Sequence, residues 1–308
     1  MLFGWRVRSA LPLPDLADWV GVDGGAAGLQ ILIDRTLASP SDRTGGWSAL
    51  GPTTEQGPGA YLGAEGQLFL RIPGVASYLV EGGSRMTVNP ELPEDAPELR
   101  TFLLGSCLAA LCFQRGVVPL HASGVEIGGG AVLMAGDSGL GKSSLAAALM
   151  QQGARLLSDD LCVLDLREPE GPLIRPAFPR LRLCDDTARA LGIRGAEAVP
   201  GRGPQDKHHI PVSAEAFTVQ PLPLRLLAVL GRSASPGPVR VTRLSGVLAM
   251  RQRHVIHRLE LGEAMGCGPL IFKSLAALAA TEKMVELIRP DDLEELPALL
   301  RTIRSLAG

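Results

Sequence analysis

Lysine is nearly missing from this chain. Of its 30 basic residues only Lys142, Lys207, Lys273 and Lys283 are lysines, and the remainder are arginines. With 32 acidic residues the formal net charge is -2, so there is no basic excess of the kind that draws a protein onto nucleic acid. Aromatic residues are scarce as well, at 4%, and a core must therefore be built from Leu, Val, Ile and Ala. The five cysteines form no CxxC pair, which removes the usual zinc and redox motifs and leaves small buried hydrophobes in a reducing compartment. Long apolar runs are also lacking. The longest, near Phe102–Phe113, is broken by Gly105 and Ser106 and is too short to cross a bilayer. The first residues carry neither the charged lead nor the apolar run of a signal peptide. A soluble, cytoplasmic protein is predicted, with neither nucleic acid nor membrane as its partner. Self-association is left open.

Apolar residues make up 46% of the 308, enough for one large domain or two ordinary ones. Residues 1–95 read as a small strand-rich N-terminal domain, with a role in substrate docking in view. Leu29–Ile33, Leu68–Ile72, Ser77–Val80 and Arg85–Val88 are short runs of strand formers, and Gly82-Gly83 marks a turn between the last two. Ala38–Gly59, rich in Ser, Thr, Gly and Pro, is predicted to be loop. Pro90–Pro97 is a plausible linker, which puts the second domain at 96–308. Glu98–Gln114 reads as a helix too apolar to face solvent. From Val117 the pattern turns to strand, loop, helix, strand, so the fold class is α/β. Ala131–Ala135 is an uninterrupted apolar strand of the sort covered on both faces. Lys142–Gln152 reads as a helix capped by Gly153. Arg155–Leu157 and Leu161–Leu166 are strands flanking Ser158-Asp159-Asp160. The tail, Pro290–Leu306, has a helical period opened by Asp291-Asp292.

Between Ala135 and the helix lies Gly136-Asp137-Ser138-Gly139-Leu140-Gly141-Lys142-Ser143, which fits GxxxxGK[ST] at every fixed position. Such glycines let the backbone curl until several N–H groups face phosphate oxygens, and the following helix adds the positive end of its dipole. Lys142 is then placed for the β- and γ-phosphates, Ser143 for Mg²⁺, and Ser144 for the first helical turn over the phosphates. The loop predicts ATP and Mg²⁺ as ligands. No NKxD motif follows, which removes the GTPases, and Leu244-Ser-Gly-Val247 is only a fragment of a transporter-ATPase signature. Asp159-Asp160 lies just 17–18 residues after Lys142, far closer than the acidic strand of an ordinary ATPase.

Those residues resemble the HPr kinase/phosphorylase family over roughly Val117–Val163. The resemblance is carried by His121, 15 residues before Gly136, by Gly-Asp-Ser-Gly-x-Gly-Lys-Ser, and by Arg-Leu-x-x-Asp-Asp at 155–160. It is similar still to a shorter-looped branch found with lasso peptide biosynthesis, through Leu-His-Ala-Ser at 120–123, Phe-Pro-Arg-Leu-Arg-Leu at 178–183, Asp-Lys at 206–207 and Pro-Leu-Arg at 223–225. It differs from true HPr kinases in having Ser144-Leu145 where they place Glu-Thr. The resemblance implies a P-loop kinase core that phosphorylates a serine hydroxyl, in the lasso branch one on a precursor peptide. It implies Asp160 as the base and Asp159 as the residue that orients Mg²⁺ together with Ser143.

Other residues join the candidate list on their own chemistry. His121 near a γ-phosphate stabilises charge as a cation or orients Asp160 when neutral. Lys207, and Arg202 before it, sit in a basic stretch able to close over phosphates. Arg180 and Arg182 alternate with Leu181 and Leu183, and so share one strand face, suited to phosphate or to plain solvent. Asp185-Asp186 is a second acidic pair with metal-ligand chemistry. His254 and His257, inside Arg251–Arg258, read as surface residues. A nucleotide-binding regulatory module without efficient transfer, and a small-molecule kinase, are the competing functions. Neither the loop nor the composition identifies the acceptor.

Overall fold

The computed structural model describes residues 2–14, 16, 28–40, 46–51, 57–168, 171–193, 197–199, 207–233, 237–290 and 295–308. The chain divides into two compact units, Met1–Val117 with Arg258–Leu270, and Val118–His257 with Ile271–Gly308. Set beside the boundary expected at 95/96, the first unit reaches further, takes in the Glu98–Gln114 helix and gathers a returning segment from late in the chain.

Seven described strands make one mixed sheet in the first unit: β1 (Val7–Ser9), β2 (Leu29–Ile33), β3 (Trp47–Ala49), β4 (Gly59–Gly63), β5 (Leu68–Ile72), β6 (Ala76–Glu81) and β7 (Arg85–Pro90), in the order β1-β2-β7-β6-β5-β4-β3. The run from β3 to β7 is an antiparallel meander, whereas β1 and β2 join in parallel. β3 lies inside a stretch read from sequence as loop. Its Ser- and Gly-rich flanks hid Trp47, which packs edge-on to Phe69 with ring centroids 6.4 Å apart. Both faces are covered because side chains alternate along a strand. Leu79 and Phe69 pack with Leu37 and the partly buried Trp47 and Tyr61. The neighbouring Tyr78 is buried on the other face and donates its hydroxyl to Leu99 O at 3.1 Å. That carbonyl belongs to α1 (Pro97–Phe102), which runs through a π-helical turn at Leu103–Cys107 into α2 (Leu108–Gln114). Gln114 closes the packing, donating to Val80 O at 3.1 Å and to Gly66 O at 2.8 Å. The sheet's edges, β1 and β3, have three residues each, short enough to discourage pairing with another chain.

The second unit is α/β. Its main sheet follows the order β11-β9-β10-β17-β13-β12-β8, with β19 and β18 added beside β17. The strands are β8 (Val118–Leu120), β9 (Ala122–Ile127), β10 (Gly130–Ala135), β11 (Arg155–Ser158), β12 (Cys162–Asp165), β13 (Leu173–Arg175), β17 (Leu222–Ser233), β18 (Arg240–Leu244) and β19 (Met284–Pro290). A separate three-stranded sheet holds β14 (Arg180–Cys184), β15 (Glu197–Val199) and β16 (Lys207–Pro211). β10, β17 and β19 run parallel side by side, and every residue of β10 is buried, as its unbroken apolar run predicts. After β10 the chain enters the 136–143 loop and then α3 (Lys142–Gln151), whose Leu145–Leu149 face is buried. A second short helix, α4 (Asp185–Ala190), follows β14, and the tail ends in the amphipathic helix Leu296–Ala307. The Asp291-Asp292 pair expected to open that helix lies outside the described residues, as does Arg202.

Candidate functional site

The register of the sheet builds the site. β9 runs antiparallel to β10, with Ser123 opposite Met134 and Ala122 opposite Ala135, so β9 begins where β10 ends and the loop departs. β12 begins beside the end of β8, Cys162 opposite Leu120. His121, at the corner between β8 and β9, is therefore brought next to the turn that precedes β12, and that turn is Asp159-Asp160. Two backbone bonds fix the corner, His121 N–H to Val255 O at 2.7 Å and His257 N–H to Pro119 O at 2.9 Å.

The 136–143 loop curls through three glycines with positive φ, +136° at Gly136, +88° at Gly139 and +86° at Gly141. At Gly136 a side chain is excluded twice over, since a Cβ would lie 2.9 Å from Leu230 O. Lys142 is buried and donates to Gly136 O at 2.7 Å and to Asp137 O at 3.0 Å, its ammonium folded back across the loop. The amides of the first turn of α3 have no carbonyl one turn earlier to bond. Ser144, in that turn, stands with its hydroxyl 3.3 Å from that of Thr187.

The two aspartates point to different places. Asp160 has φ +70°, a left-handed turn that an aspartate tolerates, and this separates its side chain from that of its neighbour. Asp159 is buried. Its Oδ1 accepts from Ser143 Oγ at 2.8 Å and from Ser123 Oγ, and its Oδ2 accepts from the Arg182 backbone N–H at 2.7 Å. Burial pushes the Asp159 carboxyl above the ordinary aspartate value; the bond from Ser123 opposes this, the charge of Asp160 adds to it, and the bonds from Arg182 and Ser143 again oppose. Asp160 is about one-third exposed, at 32% of its side chain, and pairs with Arg182 Nη1 at 2.9 Å. His121 Nδ1 lies 3.4 Å from Asp160 Oδ1 and 3.3 Å from its backbone O. Burial holds the His121 imidazole below its ordinary value, against the pull of Asp160, and the ammonium of Lys142 lowers it further.

His121, Lys142, Ser143, Asp159 and Asp160 thus meet at one place. Sequence reasoning passed over two members of the cluster. Ser123 carries no motif beyond Leu-His-Ala-Ser and is recognisable only once β9 lies beside the loop. His257, read as a surface residue, is half-buried and stacks on His121 with ring centroids 5.3 Å apart and planes 30° from parallel. That reading erred because a basic stretch suggests solvent, whereas two backbone bonds to the β8 corner, which make a bridge between Leu120 and Ile256, draw Val255–His257 inward. Arg180 and Arg182 do not line a free face. Arg180 is buried with its guanidinium 4.7 Å above the Phe178 ring, and Arg182 holds Asp160. Lys207 opens β16 opposite Cys184, and its side chain is not described. Asp185 pairs with His208 and Asp186 with Arg189, at 2.7 Å, so the second acidic pair is turned to basic side chains. Among the described residues no group of three or more His, Cys, Asp or Glu is placed to hold a metal ion. No described helix is long and apolar enough to cross a membrane.

The stretch that carries this geometry has known counterparts. Residues 116–174 match the family model described as the HPr Serine kinase C-terminal domain. The chain is similar to the HPr kinase/phosphorylase of Clostridium botulinum, 38% identical over 74 residues that cover 24% of this chain and 23% of that one. It is similar to the HPr kinase/phosphorylase of Limosilactobacillus reuteri, 35% identical over 102 residues, 32% of this chain and 31% of the other. It spans less than a third of the length of these curated relatives. Among solved structures it matches the HPr(Ser) kinase/phosphatase from Coxiella burnetii at 15% identity and a TM-score of 0.32, over 60% of this chain and 87% of that one. The family-model match at 116–174 runs from the β8 corner to β13 and contains His121, the loop and both aspartates.

Proposed function

We propose that this protein is an ATP-dependent kinase that phosphorylates a serine hydroxyl, and that its acceptor is a lasso-type precursor peptide bearing a C-terminal serine. One observation carries the reading. Two adjacent aspartates are divided by a left-handed turn, one buried against the loop serine, the other at the surface between His121 and Arg182. A module that only bound nucleotide would need the first arrangement and not the second.

The donor set fits Mg²⁺: the Ser143 hydroxyl and the Asp159 carboxylate are hard oxygen ligands within hydrogen-bond reach of each other, with Ser123 beside them. Ser143 and Asp159 would hold the ion. The loop fits a nucleotide polyphosphate, since a cationic Lys142 already caps two loop carbonyls and the loop leads directly into the N-terminus of α3. Bound ATP–Mg²⁺ supplies the transferable phosphoryl group. The chain's own residues do the rest. Asp160 would take the proton of the serine hydroxyl as the serine oxygen bonds the γ-phosphorus and the γ-phosphorus–oxygen bond to ADP breaks, with ADP as the leaving group. His121, neutral near pH 7 because burial disfavours its charge, fixes the carboxylate from one side, and Arg182 holds it from the other. Lys142 neutralises charge on the phosphate oxygens, and Lys207 at the head of β16 joins it on closure.

The precursor-peptide part rests on the motifs at 120–123, 178–183, 206–207 and 223–225 and on Ser144-Leu145 after the loop lysine. A flexible peptide end can also reach a base that is about one-third exposed without deforming a folded partner. The test is mass spectrometry of a linear precursor ending in serine, of HPr and of small hydroxylated metabolites, each incubated with the protein and ATP–Mg²⁺. One added phosphate on the precursor's terminal serine is expected. Phosphate on HPr alone, or on a metabolite alone, would refute the peptide acceptor and leave the kinase. Nucleotide binding with no transfer to any hydroxyl would refute the kinase.

A further inference from the structure

Two arginines that no motif singles out stand on the outer side of the 136–143 loop. β17 and β19 are parallel and in register, with Arg232 opposite Arg289 near their C-terminal ends. In such sheets ligands gather outside the carboxyl ends of the strands. β10 is the next parallel strand, and its C-terminal end leads into the loop. Arg232 Nη2 donates to Gly139 O at 3.0 Å, and Arg289 Nη2 donates to Leu140 O at 3.3 Å. The Arg289 guanidinium also lies against Gly141, where a Cβ would come 3.2 Å from its Nη2.

In a planar trans peptide the C=O of one residue and the N–H of the next point in opposite directions. Guanidiniums that hold the Gly139 and Leu140 carbonyls outward therefore turn the amides of Leu140 and Gly141 inward. The Leu140 N–H does point back across the loop, towards Asp137 O at 3.4 Å. Such a loop, with three glycines at positive φ, has many alternative backbone states, and each one lost before binding is entropy not spent on binding. We infer that Arg232 and Arg289 are positioning residues for nucleotide. They hold the crest of the loop in its phosphate-receiving form from the side away from the phosphates. The inference rests on the nucleotide-binding reading and is independent of what the acceptor is.

The double variant Arg232→Gln/Arg289→Gln tests it, with Arg289→Lys as the variant that keeps a cationic donor. Affinity for Mg–ADP is measured by titration calorimetry, KM and kcat by ATP turnover, and amide hydrogen exchange on nucleotide-free protein. Mg–ADP affinity should fall about tenfold, the effect of about one charge-assisted hydrogen bond, and the KM for ATP should rise to match. The kcat at saturating ATP should stay within about twofold. Exchange at Leu140 and Gly141 should quicken while the middle of α3 is unchanged. Arg289→Lys should recover part of the affinity, and it serves as the test by itself if the double variant does not fold. Wild-type affinity and wild-type exchange in the variants would overturn the inference. So would a loss of kcat at unchanged affinity, which would place the arginines on the transfer step itself. If the wild-type protein binds no Mg–ADP, the nucleotide reading falls and the inference with it. If it binds Mg–ADP but phosphorylates no serine, only the proposed reaction falls.

Discussion

Replacing Asp160 by asparagine removes a proton acceptor while changing little else. The ion pair with Arg182 spans 2.9 Å between side chains 32% and 28% exposed, and a pair that open to water is worth at most about 1 kcal/mol. The residue sits at φ +70°, where asparagine is nearly as comfortable as aspartate, so the backbone gains no strain. The melting temperature of Asp160→Asn should therefore stay within about 2–4 °C of wild type. Asp160→Ala, which has no polar side chain to ease the left-handed turn, should lose about a further 1–2 kcal/mol. Transfer behaves differently. Loss of a general base typically lowers the rate by about 10²–10⁴, equivalent to roughly 3–5 kcal/mol on the barrier. The kinetic penalty of the asparagine variant thus exceeds its stability penalty about threefold or more. Single-turnover transfer from ATP–Mg²⁺ to the precursor, alongside calorimetric nucleotide affinity, separates the two. Slow transfer with wild-type affinity is expected. Transfer within about tenfold of wild type, or affinity lost in step with rate, would refute Asp160 as the base and turn attention to Asp159.

Three further outcomes are expected. Lys142→Ala should abolish transfer and weaken nucleotide binding, because the ammonium that caps Gly136 O and Asp137 O is the loop's own cation; calorimetry with ATP–Mg²⁺ checks it. His121 has a folded pKa below its ordinary 6.5, so between the two values the unfolded chain binds a proton that the native one does not. Stability should rise with pH through that window and be lost as pH falls below about 6.5, and His121→Gln should flatten that acid limb in a series of melting curves. Asp165 is fully buried and accepts from Arg167 at 2.8 Å and 2.7 Å and from Arg175 at 2.7 Å, which holds its carboxyl well below the usual range. Asp165→Asn should cost about 2–3 kcal/mol by urea unfolding and leave nucleotide affinity unchanged. That figure is set below the buried-pair range because Arg167 is 57% exposed.

The sequence alone determined the parts of this protein that depend on local chemistry. The GxxxxGK[ST] loop is legible because its two fixed glycines are demanded by backbone conformation, and Gly136 and Gly141 both have positive φ. The strand before it and the helix after it are legible because an unbroken apolar run, and a stretch of helix formers stopped by Gly153, are properties of neighbouring residues. Four strands of the first unit, β2, β5, β6 and β7, were legible as short runs of strand formers, whereas β1, β3 and β4, set among turn-forming residues, were not. The tertiary structure decided what depends on pairing across distance. Ser123, Asp159 and Ser143 are neighbours only because β11, β9 and β10 lie side by side in this order. The same pairing sets His121 beside Asp160 through the register of β8 with β12. The split of the two aspartates into a buried and a partly exposed partner comes from one left-handed residue, which no periodicity marks. Arg232 and Arg289 reach the loop from strands that begin 79 and 141 residues after it ends. A long arginine on a late strand has no sequence signature for the carbonyl it will meet, because the contact exists only once parallel strands have fixed which ends lie together.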